Sequence, residues 1–179
     1  MIRRTILLGA LAVAACGPTT PPPTLPGTAG AGTVTTDPIT VARQNAGAFF
    51  RQPQPNQPAA AARAIADIEY LTGAVPADPR WQTASGQAMN QLTLARNQGR
   101  QALGIPASAP AQGVIDGLMR AADALDANDR AAAAQALPRS IFTAGPEQTI
   151  RRLAQPPRIP TAGAALAALA AGPSRGGGQ

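Results

Sequence analysis

The chain has 179 residues, a formal charge of +6, no histidine and a single cysteine, and all 15 of its basic residues are arginine. Without histidine or lysine it cannot assemble a Ser-His-Asp, Cys-His or Ser-Lys catalytic group. The same shortage argues against zinc, copper and haem centres, so no cofactor and no metal is expected. There is no GxxxxGK[ST] phosphate loop, and one cysteine forms no internal disulfide.

Residues 1–16 read MIRRTILLGALAVAAC. Arg3 and Arg4 form a short positive region, an apolar run covers residues 6–15, and small residues precede the cysteine, which is the plan of a secretory signal peptide. The run is about ten residues, against roughly 20 for a spanning helix. Val13, Ala14, Ala15 and Cys16 resemble the lipobox of bacterial lipoproteins. That resemblance covers these sixteen residues alone and implies cleavage between Ala15 and Cys16, with a diacylglycerol on the Cys16 thiol. Each buried methylene contributes about 0.8 kcal/mol, so two or three acyl chains anchor firmly where one does not. Gly17 follows the cysteine where an aspartate usually marks inner-membrane retention. The resemblance therefore implies the cell envelope, and in a Gram-negative host the outer membrane facing the periplasm.

Residues 16–36 carry the lipidated cysteine and a Pro/Thr/Gly-rich tether. Almost nothing in it can be buried, and extended as polyproline it reaches roughly 60 Å. Helical punctuation begins at Asp37 and Pro38, a favoured cap and first residue, followed by Ile39, Ala42, Ala46 and Phe49 on one face. A second helix is predicted from Pro58 to about Thr72, with Ala61, Ile65, Ile68 and Leu71 as its stripe and Gly73 and Pro76 ending it. Asp78 and Pro79 repeat the cap signal. They predict a long third helix to Leu103, with Trp81, Ala84, Ala88, Leu92 and Ala95 in register and Gly104 and Pro106 as its stop.

Ser108 is the expected cap of a fourth helix whose apolar face is Val114, Ile115, Leu118, Ala122 and Leu125. A short alanine-rich helix follows Asn128, and another opens at Gly145 and Pro146. Acids four residues before arginines (Asp116–Arg120, Asp126–Arg130, Glu147–Arg151) read as exposed pairs. The expected fold is all-α, a small bundle of four to six short helices over residues 37–155. Residues 156–179 form a Pro-rich, Ala/Gly-rich tail with a candidate short helix at 162–171. The two Asp-Pro signals read as independent caps, with a solenoid of paired helices as the alternative.

Candidate chemistry rests on nine carboxylates. Glu69, beside Tyr70, is the best placed as a general acid for glycan cleavage, although a solvated surface glutamate is the simpler reading. Asp67 diverges from it by about 200° around the helix, so the two make a poor catalytic pair. Asp123, Asp126 and Asp129 lack the spacing and glycine of a calcium loop and read as capping and turn residues. Phe49, Phe50 and Trp81, three of only five aromatics, are the candidate contact groove, with a role in the core as the alternative. Phe49 and Phe50 are adjacent, so both cannot point into one core.

No basic run with interleaved aromatics is present, so nucleic acid is not an expected partner. The expected function is that of a membrane-anchored lipoprotein with a non-enzymatic interaction or scaffold domain, its partners being the membrane, through Cys16, and an envelope protein. The alternatives are a carboxylate-dependent cell-wall glycan enzyme and a groove binder of lipid or anionic polymer.

Overall fold

The computed structural model describes residues 21–26, 37–81, 84–155 and 157–170. Among these the regular structure is all-α: helices α1 (Pro38–Arg51), α2 (Pro58–Ala77), α3 (Gly86–Leu103), α4 (Ala111–Asp126), α5 (Arg130–Gln135), α6 (Pro146–Ala154) and α7 (Ala162–Ala170), with a single 3-10 turn at Pro79–Trp81. The signal segment, Cys16 and the last residues of the tail lie outside the described residues.

The second helix is the hub. It packs against α1, α3, α4 and α6, and from Ala59 to Leu71 it is buried almost all round. Alanines at 59, 61, 62, 64 and 66 let its neighbours approach closely, which is how a core with few aromatics fills space. Most of the predicted stripes of α1 and α4 is buried, Ile39, Ala42 and Ala46 on α1 and Val114, Ile115, Leu118 and Ala122 on α4, while Phe49 and Leu125 at their ends are half-buried. Phe142, the one fully buried aromatic, lies across α4 at Gly117, where a Cβ would sit 2.7 Å from its ring.

Capping explains several of the boundaries. The Asp37 carboxylate accepts the Thr40 amide at 3.1 Å. Gly104, with φ 72°, closes α3: its own amide bonds to Gln101 and the next to Arg100, a Schellman arrangement. Asn128 does the same for α4 at φ 57°, with its amide on Leu125 and that of Asp129 on Ala124. The Asp129 carboxylate then caps α5 through the Ala132 amide. A capping role for Asn128 and Asp129 is thus what the structure holds.

Four expectations are corrected. Helix α2 does not stop at Gly73 but runs through Pro76 to Ala77; so near the end, a proline removes only one intrahelical bond. The long third helix is broken. Asp78 accepts the Arg80 amide at 2.9 Å and closes one isolated turn, and α3 starts afresh at Gly86 under a Ser85 cap. Ser108 caps nothing: α4 begins after Pro110 without a side-chain cap. The acid-first pairs choose other partners. Asp116 accepts from Gln112, Asp126 from Arg63 and Glu147 from Arg130, because surface pairs four apart hold too weakly to resist better geometry.

Segments 21–26 and 157–170 also dock on the bundle. The tail helix α7 packs on α1 and α3, burying Ala162, Ala165, Leu166 and Leu169, so the bundle extends past residue 155. Residues 21–26 lie on the bundle as well. The Thr24 amide donates to Gln112 Oε1 at 2.8 Å, and Gln112 Nε2 returns a bond to the Thr24 carbonyl at 3.1 Å. Leu25 is buried. Pro23 occupies the space that a side chain at Gly73 would take, with a Cβ there only 2.5 Å from its ring. The expectation that almost nothing in 16–36 is buried fails at this strap.

Candidate functional site

Cys16 and Ala15, the lipidation and cleavage positions expected from the sequence, lie outside the described residues. The remaining candidates fall in three places.

Glu69 is not a surface residue. It is 1% exposed, and Arg100 grips it with Nε on Oε1 at 2.6 Å and Nη2 on Oε2 at 2.8 Å. The third guanidinium nitrogen donates to the carbonyls of Pro106, Ala107 and Ala109, and Arg96 stands 3.9 Å from Oε2. Both carboxylate oxygens are thus committed to one guanidinium in a bidentate pair. Its geometry is that of a bolt joining α2, α3 and the loop that leads into α4.

Trp81 is buried at the N-terminal end of α1, where its neighbour Arg80 bonds Asp37. Phe49 and Phe50 are at the opposite end, about 20 Å away along a helix of this length. The structure therefore does not bring the three together. The two phenylalanines meet edge to face, with centroids 5.2 Å apart, and both are half-buried. Each lines a different cavity on either side of α1.

Phe50 faces a cavity of about 340 Å³ between α1 and α7, together with Arg43, Arg51 and Leu166. Phe49 faces one of about 400 Å³ between α1 and α2, lined also by Asn45, Gln57, Arg63 and Asp67. Asp67 is only 4% exposed, and burial pushes its carboxyl up to about 8, with Arg63 opposing the shift only in part. Arg63 itself is engaged by Asp123 at 2.8 Å and Asp126 at 2.7 Å. Burial disfavours its charge, yet the bonds to the two aspartates outweigh that and raise its pKa. Asp123 and Asp126 thus serve as an ion-pair clamp from α4 to α2. No group of histidine, cysteine, aspartate and glutamate among the described residues is arranged to hold a metal.

Stripe reading along α2 missed both buried acids, although a signal was present. The segment AAAARAIADIEYL is apolar on every face, which marks a helix buried all round; any carboxylate in it must be buried, paired or lining a cavity. No protein-family model matches the sequence, and no curated protein or solved structure gives a significant match to it.

Proposed function

We propose that this chain is a cell-envelope lipoprotein, anchored in a membrane through Cys16, whose helical domain works by contact and not by catalysis. The observation that carries the reading is the sequence Val13-Ala14-Ala15-Cys16 at the end of a charged-then-apolar leader, with the only cysteine of the chain at the position a lipid requires. The commitment of Glu69 to Arg100 supports the non-enzymatic reading over the glycan enzyme, since it occupies the carboxylate best suited to general acid work. In this reading the location is the cell envelope, which in a Gram-negative host means the outer membrane facing the periplasm, and an envelope protein is the partner.

The docked strap adds a geometric consequence. Between Cys16 and Pro21 the backbone can span at most about 18 Å, so the anchor holds the Gly73 and Gln112 face of the bundle near the membrane, leaving α1, α6 and α7 to meet a partner.

Crosslinking in cells followed by mass spectrometry, with Cys16→Ser as the untethered control, tests this. A protein partner recovered only with the lipidated form is the expected result. Recovery of lipid or wall fragments alone overturns the contact role. The α1–α7 cavity supports the groove-binder alternative, because Arg43 and Arg51 flank an apolar floor of Phe50 and Leu166. Salt-sensitive binding to anionic vesicles, lost in the Arg43→Ala/Arg51→Ala double variant, is the result expected of that alternative.

A further inference from the structure

We infer that the cavity between α1 and α2 is a binding site for a small primary amine, with Asp67 as the anion that receives the ammonium group.

Asp67 is 4% exposed and lines the cavity wall, and among the described residues its carboxylate has no hydrogen-bond or ion-pair partner. The other buried acid, Glu69, two residues along, has both oxygens satisfied. A buried carboxyl without a partner is costly to ionise. Packing does not require one here, since an alanine or leucine would continue the apolar run of α2. A carboxyl that faces a cavity has its missing partner in whatever fills that cavity.

Charge decides which kind of ligand. Arg63, one helical turn before Asp67, gives its guanidinium to Asp123 and Asp126 from α4. Those three groups carry one positive and two negative charges, so Arg63 is not available to neutralise Asp67, and the surroundings favour a cation over an anion. The charge that bears on Asp67 electrostatically is Arg63 of its own helix. From α1 the cavity wall is Asn45, Ala48, Phe49 and Gln52, none of which titrates. A cation entering from solvent therefore meets no opposing charge on that side.

The remaining lining fits an amine with a short apolar stem. The side-chain carbonyls of Asn45, Gln52, Gln54 and Gln57 offer acceptors for the N–H groups that Asp67 leaves over. Phe49 offers an aromatic surface for methylenes or for the ammonium itself. At about 400 Å³ the cavity has room for a compact molecule. On binding, the carboxyl gives up its proton to solvent and forms an ion pair with the ammonium in the groove between α1 and α2. The raised proton affinity of Asp67 is what makes this exchange of proton for amine measurable.

The test uses the full-length protein in detergent, titrated calorimetrically with 1,4-diaminobutane, n-butylamine and butane-1,4-diol at about pH 7. Both amines are expected to bind in the millimolar range or tighter, with a proton released to the buffer, and the diol to show no heat. Asp67→Asn, which keeps the shape and loses the charge, is expected to weaken amine binding by about tenfold or more. Arg43→Ala, in the other cavity, is expected to leave it unchanged. Helix content by circular dichroism shows whether each variant is folded. Equal binding by folded Asp67→Asn, binding of the diol as tight as that of the amines, or no amine binding up to about 10 mM each overturns the assignment. None of these outcomes depends on the Cys16 anchor.

Discussion

Glu69 on α2 and Arg100 on α3 meet through two parallel hydrogen bonds in the interior of the bundle, and Arg100 uses its remaining nitrogen to hold three carbonyls of the loop before α4. The pair sits where three elements must agree on their positions. Removing one partner leaves the other charged and buried, which costs about 3–5 kcal/mol, whereas replacing both with apolar groups of similar volume costs far less. Arg100→Ala and Glu69→Ala are each expected to lower stability by about that amount in denaturant titrations. The double replacement Glu69→Leu/Arg100→Met is expected to lose less than the sum of its single variants. Strict additivity would mean that the two side chains do not act as one unit.

A second buried acid controls pH dependence. Asp67 holds its proton up to about pH 8 when folded, against an ordinary value of 3.8. Between those values the folded chain binds a proton that the unfolded chain has released. Its contribution is complete below about pH 4 and is lost progressively as pH rises through about 8. Stability is expected to fall by a few kcal/mol across that window, and Asp67→Asn to flatten the slope. Tyr70, also raised by burial and by Asp37 and Asp78, titrates above it. A pH profile of unfolding free energy, wild type against Asp67→Asn, checks the sign.

The strap over α2 depends on a missing side chain. A Cβ at Gly73 would lie 2.5 Å and 2.6 Å from two ring carbons of Pro23, while alanine favours the helix itself by about 1 kcal/mol. Gly73→Ala is therefore expected to keep overall stability within about 1 kcal/mol while lifting residues 21–26 off the bundle. Hydrogen exchange reads this at the Thr24 amide, which donates to Gln112; its protection is expected to disappear. Gln112→Ala is expected to do the same without touching Gly73. Unchanged protection in both variants would mean the strap is held by something else.

Local signals in the sequence carried much of this fold. Asp37 and Pro38 open a helix, Gly104 and Asn128 close two, and the faces of α1 and α4 follow from spacing alone, because caps and stripes act within one or two turns. What escaped depends on distant partners. The expectation of an exposed Glu69 failed because its neutralising charge, Arg100, is on another helix. The strap failed for a similar reason: a proline-rich segment has no periodic face, and its docking site is a glycine far along the chain. Adjacency suggests that Phe49 and Phe50 cannot both meet one core, yet both pack half-buried against it, and no local pattern shows that each also lines its own cavity or that Trp81 belongs to the other end of α1. Asp67 was visible as a carboxylate in an apolar run, yet only the placement of α1 shows the cavity beside it.

The central proposal, a lipid anchor at Cys16, is tested most directly by mass spectrometry of the mature protein purified from membranes of the native host. The expected result is an N-terminal peptide beginning at Cys16 and carrying the mass of a diacylglycerol on its thiol, together with loss of membrane association in Cys16→Ser. A mature chain that begins at any other residue, or that begins at Cys16 with an unmodified thiol, would contradict it.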